Sequence, residues 1–223
     1  MDNTSVDSRV WQSIDYRPAI AEHVPDALLP YLAVGRTALD VGCNTGKTAL
    51  WLARQGVSVL GIDVNANALE TARCQAAQAG LQSLARFSLA DITCDAVPGS
   101  FDIVLLIRLL TCIPSQNAWS TVLNRVFASL PIGGLLYVHD FLRDDGIAHY
   151  HERYDEAESR GWRSGNFVVN DAQGRLLFVA HHHSREELGQ IMQPFVQLDL
   201  TCHLSRSMNG NECRMFRFVG RKR

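Results

Sequence analysis

Residues 38–46, ALDVGCNTG, constrain the fold more than any other stretch of the chain. They lie between a short apolar run, 36–41, and a segment, 47–55, whose apolar residues recur at helical spacing and stop at Gly56. A strand that turns through Gly42 and Gly46 into a helix lets the backbone approach a ligand and aims unpaired helix N–H groups at it. The strand ends in a carboxylate, Asp40, two residues before the first glycine. That charge would repel a pyrophosphate and suits a cationic ligand, and the G-x-G-x-x-G fingerprint of dinucleotide folds is missing.

The same alternation continues. Residues 57–62 read as a second strand, 65–78 as a helix stopped by Gly80, and 86–89 as a short third strand. Residues 101–107 (FDIVLLI) form a fully buried fourth strand, 116–130 a helix stopped by Pro131 and Gly133-Gly134, and 135–139 a fifth strand. Strands separated by helical segments predict a mostly parallel sheet with helices on both faces. Asp63 ends the second strand, where a carboxylate can accept from ribose hydroxyls, and Asp91 follows the third. Asp40, Asp63 and Asp91 thus stand at carboxyl ends of strands, the side of an open α/β sheet that binds ligands.

Beyond Asp140 the pattern changes. Residues 140–160 hold seven acidic and three basic side chains, with His149, Tyr150, His151 and Tyr154 among them, and read as a polar helix. A hairpin is expected from 166–170 and 175–180, joined by the turn-rich 171–174. Ser184 with Glu187 forms a capping box that opens a helix to about residue 192, and two strands near 195–203 and 213–220 close the chain. The whole chain, 1–223, reads as one domain, with 1–34 as an N-terminal helical cap and 140–183 as a lid inserted after the fifth strand.

Composition excludes several classes. A length of 223 residues suits one large domain. With 21 basic and 23 acidic side chains the net charge is −2, which argues against a nucleic-acid backbone as partner. Residues 203–223 are the exception, with six basic residues to one Glu, and Arg221-Lys222-Arg223 reads as a solvated tail. No apolar run approaches 18 residues and the N-terminus lacks a basic-then-apolar leader, so a cytoplasmic protein without membrane contact is expected. The six cysteines are never closer than 11 residues, so reduced thiols are expected and no metal knuckle. In a strand, His181-His182-His183 alternate faces, which favours a structural role over a metal site.

The chain resembles the class I (Rossmann-like) S-adenosylmethionine-dependent methyltransferases of the small-molecule type. The match is to their D-x-G-x-G-x-G loop, here DVGCNTG with Asn44 at the middle glycine, and continues through GIDVNANALETA, LADI, FDIVLLI and LPIGGLLYVHDF. It covers residues 35–142, and HHHSREELGQIM more loosely. The resemblance implies S-adenosyl-L-methionine as cofactor and a sheet of seven strands. It further implies that Asp40, Gly42, Cys43, Asn44 and Gly46 hold the methionyl end, Asp63 the ribose, and Asp91 with Ile92 the adenine. Val64 and Ile107 belong to the same implied set, and Arg17 to a segment that would fold over the cofactor carboxylate.

The acceptor half is less legible, because a methyltransferase can work by alignment and exclusion of water without a general base. Ile107-Arg108-Leu109-Leu110 departs from the N/D-P-P-Y/F stretch of enzymes that methylate base amines. Arg108 either clamps an acceptor carboxylate through its bidentate fork or pairs with a helix acid. His139, His149, His151 and Tyr154 are either acid–base groups of the lid or ordinary residues of a polar helix. The expected function is methyl transfer to an O, N or S nucleophile of a small molecule. Cyclisation or alkyl transfer with the same cofactor, and a non-catalytic binding module, are the alternatives; homodimerisation is left open.

Overall fold

The computed structural model describes residues 8–13, 24–97, 99–170, 173–207 and 210–223. Arg17 lies outside the described residues. In chain order the elements are α1 (Ser8–Ser13), β1 (Thr37–Val41), α2 (Lys47–Arg54), β2 (Ser58–Asp63), α3 (Ala66–Gln78), β3 (Ala85–Leu89), β4 (Ile103–Ile107) and α4 (Gln116–Ser129). They continue with β5 (Leu135–Leu142), α5 (Ala148–Ser159), β6 (Asn166–Asn170), β7 (Leu176–His181), α6 (Arg185–Met192), β8 (Phe195–Arg206) and β9 (Glu212–Lys222). Short 3₁₀ turns at Asp26–Tyr31 and Leu110–Cys112 complete the set.

Seven strands form one sheet in the order β3-β2-β1-β4-β5-β9-β8, and β6 pairs with β7 in a separate hairpin. β1 through β5 run parallel; β9 is antiparallel to both β5 and β8. This is the Rossmann-like arrangement expected from the alternation, with the lid following β5. The chain steps outward from β1 to β3 and then returns to place β4 on the other side of β1. That reversal opens a crevice at the carboxyl ends of β1 and β4.

Alternating residues of each strand feed two cores. Leu39, Val41, Val104, Leu106 and Val138 pack on one face with Trp119 and Val126 of α4. Ala38, Ile103, Leu105, Leu135 and Tyr137 pack on the other with Ala49 and Leu52 of α2. Both faces are covered, which is why these strands read as continuous apolar runs. Helix starts follow their caps: the Asn65 side chain accepts from Ala68 N–H at 3.0 Å, and Ser184 with Glu187 forms the reciprocal box.

β5 extends three residues past the predicted end at His139, to Leu142. Asp140 is fully buried there and its carboxylate accepts from Thr111 N–H (3.2 Å) and Phe141 N–H (2.8 Å), so a charged residue type continues the strand instead of starting a surface segment. The lid carries its own small core, Tyr150, Tyr154 and Phe167 with Phe141, Phe178 and Met215. No helix among the described residues is long and apolar enough to cross a membrane.

Candidate functional site

A cavity of about 670 Å³ opens at the carboxyl ends of β1, β2 and β4, within the size range of small-molecule sites. Its floor is the loop read first in the sequence. Gly42 has φ +72°, and a Cβ there would meet Leu109 Cδ1 at 2.9 Å; Gly46 has φ +77°, and a Cβ would meet the Phe87 ring at 2.8 Å. Only glycine fits both the left-handed backbone and the close approach. Asn44 adopts φ +48° and holds the turn from within, its Oδ1 accepting from Thr45 N–H at 2.6 Å.

Asp63 ties this loop to the next. Its Oδ2 accepts from Asn44 N–H at 2.8 Å and its Oδ1 from Asn65 N–H at 2.9 Å, which fixes the carboxylate plane at the cavity wall. Asp40 is 2% exposed, and its Oδ2 has no hydrogen-bond partner among the described residues. Burial, and after it the nearby Asp63 carboxylate, push Asp40 up to about 7. At the outer end, Asp91 Oδ1 accepts from Thr93 N–H (2.9 Å) and Oγ1 (2.6 Å), and Asp91 and Ile92 both line the cavity. Val64, Cys43 and Ile107 line it too. Cys43 is buried and its thiol is pushed well up, chiefly by burial, so it is not a nucleophile at neutral pH.

Arg108 follows β4 directly, with φ +53° and its N–H donating to His139 O at 2.8 Å. A left-handed non-glycine residue costs about 1–2 kcal/mol, and the His139 carbonyl helps hold it where its side chain reaches the cavity. Opposite stands the lid, contributing Tyr150 and Arg153 of α5, Phe167 and Val169 of β6, Phe178 and Ala180 of β7, and His182. Trp11 of α1 roofs the cavity, its ring 4.5 Å from that of Phe178 and its carbonyl accepting from Asn65 Nδ2 at 3.2 Å.

Four acid–base candidates lie elsewhere. His139 is buried on the Tyr137 face of β5, stacked on His203 at 5.6 Å, because strand alternation turns it away from the Asp140 side. His149 and His151 are exposed on α5, His151 facing Asp155 at 3.5 Å. Tyr154 is buried inside the lid with its hydroxyl 2.6 Å from His182 Nδ1. None of the four lines the cavity. Sequence reading instead missed Tyr150, Arg153, Phe178 and His182. The strand alternation that set His182 apart from its neighbours was the one available signal: His181 and His183 share a face, with rings 4.9 Å apart, and turn inward.

Residues 38–134 match the methyltransferase domain family. A crystal structure of a SAM-dependent methyltransferase from Methanosarcina mazei superposes with a TM-score of 0.82 at 28% identity, covering 91% of this chain and 99% of that one. The chain has the class I (Rossmann-like) S-adenosylmethionine-dependent methyltransferase fold. Methyltransferase GfsG of Streptomyces halstedii is 35% identical over 134 residues, 58% of this chain and 47% of that protein, so the chain spans about half of that relative. The ubiquinone biosynthesis O-methyltransferase of Xanthomonas axonopodis pv. citri is 28% identical over 177 residues, 71% of this chain and 72% of that one.

The class I methyltransferase fold binds S-adenosylmethionine, and the residues present fit it: an orphaned buried carboxylate oxygen suits a ligand with a positive charge, and Asp63 retains acceptor capacity for a diol. Protonation of Asp40 competes with a cationic ligand. With Asp40 titrating at about 7, S-adenosylmethionine affinity should fall about tenfold from pH 8 to pH 6, since only about one molecule in ten is ionised one unit below the pKa. Calorimetry across that range checks this, with Asp40→Asn giving a flat profile; a flat profile in the unaltered protein contradicts it.

Proposed function

We propose that the protein transfers a methyl group from S-adenosylmethionine to an O, N or S nucleophile of a small molecule. The observation that carries this reading is the convergence of Asp40, Asp63 and Asp91 on one cavity whose far wall is a separate lid. When bound, S-adenosylmethionine would supply an already activated methyl group to the acceptor's lone pair, the carbon–sulfur bonding pair passing to sulfur and any proton on the acceptor to water or a nearby base.

The chain's own part is binding, alignment and exclusion of water. Asp63 orients the ribose, Asp91 and Ile92 border the adenine end, and the Gly42–Gly46 turn takes the methionyl end. Phe141, Phe178 and Trp11 close the acceptor side against solvent. No step needs a cysteine nucleophile or a metal ion. The similarity to methyltransferases named for small-molecule pathways supports the acceptor class.

Incubation of the protein with S-adenosylmethionine and a panel of small phenols, thiols and amines, followed by mass spectrometry of the nucleoside product, tests the reaction type. Acceptor-dependent S-adenosylhomocysteine is the expected product. Methylthioadenosine in its place would contradict methyl transfer and favour alkyl transfer.

A further inference from the structure

The cavity is divided by charge. Its acids, Asp40, Asp63 and Asp91, belong to the loops after β1, β2 and β3, whereas the described acceptor wall, from Arg108 round the lid to the β8–β9 turn, carries no Asp or Glu. That wall instead holds Arg108, Arg153 and Arg206. Arg153 lies in no ion pair or hydrogen bond among the described residues. Between these cations the surface is aromatic and apolar: Phe141, Tyr150, Phe167 and Phe178, with Leu177 and Val169.

A histidine ring is set into the aromatic wall. The His182 ring lies flat on Phe141, with centroids 5.0 Å apart, and edge-on to Tyr150 and Phe167. Its Nδ1 meets the Tyr154 hydroxyl at 2.6 Å. Tyr154 has no other hydrogen-bond partner among the described residues, so its one proton is best used by donation to Nδ1. His182 is then the neutral tautomer with its proton on Nε2, and burial, which holds its pKa well down, keeps it so. The ring therefore offers the cavity a donor.

We propose that the acceptor is a planar aromatic anion, its ring held between the lid aromatics and its negative group placed among Arg108, Arg153 and His182. An ammonium acceptor would meet three arginines and no carboxylate on this wall, whereas a carboxylate or phenolate would find charge-assisted partners. Arg108 also faces the buried Asp140, whose pKa burial raises to about 7, so part of its charge is directed away from the cavity. Arg153, on the rim, is the clearer test. The assignment rests on the methyl-transfer reading above.

The experiment uses the full chain saturated with S-adenosylhomocysteine, with binding of that nucleoside first verified by calorimetry. It is titrated with 3-hydroxy-2-naphthoate, 2-naphthol and 2-(aminomethyl)naphthalene, followed by naphthalene fluorescence. The carboxylate should bind about tenfold more tightly than the neutral naphthol, the difference expected of one charge-assisted pair, and the amine most weakly. Arg153→Ala should remove most of the carboxylate's advantage and leave 2-naphthol unchanged. Equal or tighter binding of the amine, an unchanged carboxylate preference in Arg153→Ala, or binding of none of the three to the verified complex would overturn the acceptor assignment. Failure of S-adenosylhomocysteine itself to bind would overturn the methyl-transfer reading instead.

Discussion

Replacing Asp63 by alanine should weaken S-adenosylhomocysteine binding by about a hundredfold. A carboxylate that accepts from two ribose hydroxyls makes two hydrogen bonds to a charged group, each worth about 1.5–3 kcal/mol, and about 3 kcal/mol corresponds to two orders of magnitude. Asp63 is suited to this because its orientation is already set by Asn44 N–H and Asn65 N–H, one on each oxygen. Those same bonds mean that the substitution also loosens the glycine turn. Asp63→Asn, which keeps an acceptor but loses the charge, should fall between the two. A loss of less than about threefold in Asp63→Ala would exclude a ribose contact of the charged kind.

The second large effect concerns the lid's attachment. Glu187 in α6 pairs with Arg163 through Oε1, the Arg163 Nε contact being 3.0 Å, while its Oε2 lies 3.1 Å from His181 Nε2 and accepts from Ser184 N–H at 2.7 Å. Both side chains of the Glu187–Arg163 pair are 13% exposed. His181 continues the chain of contacts to Asn166 of β6 at 2.8 Å, and the Arg163 guanidinium lies 5.2 Å from the Trp119 ring centroid of α4. The network thus pins the β6–β7 hairpin to the body of the fold. Burial would raise the Glu187 carboxyl, but His181, the Ser184 N–H and then Arg163 together hold it below its usual range.

Glu187→Ala removes the charge that Arg163 faces and half of a capping box. Breaking a buried pair from one side costs about 3–5 kcal/mol. For a domain of this size each kcal/mol moves the melting temperature by about 2–4 °C, so a fall of roughly 10 °C is expected. Because the network lies behind the lid and away from Asp63, S-adenosylhomocysteine affinity at a temperature where the variant is folded should stay within about threefold. A melting temperature lowered by less than about 3 °C would contradict the role given to this pair.

The three-carboxylate side of the cavity is legible from the chain because those residues stand at strand ends. Asp40, Asp63 and Asp91 each follow an apolar run, and the topology of a parallel sheet brings such positions together without reference to side-chain packing. The lid wall of the cavity is assembled by packing. Tyr150 and Tyr154 lie one helical turn apart and are both buried, yet only Tyr150 reaches the cavity, because His182 sits between Tyr154 and the cavity space. Periodicity gives both residues the same phase and cannot separate them. Similarly, the alternation argument correctly split the histidine run. His182 is the one of the three that lines the cavity, while Trp119 Nε1 donates to His183 Nε2 at 3.1 Å and holds the other face inward.

Titration calorimetry of the full chain with S-adenosylhomocysteine bears most directly on the central claim that the three-carboxylate cavity is a methyl-donor site. Saturable binding at about one nucleoside per chain, with a dissociation constant of roughly 1–100 µM, is the expected result. Absence of saturable heat at about millimolar nucleoside, from protein whose melting curve shows it folded, would contradict it.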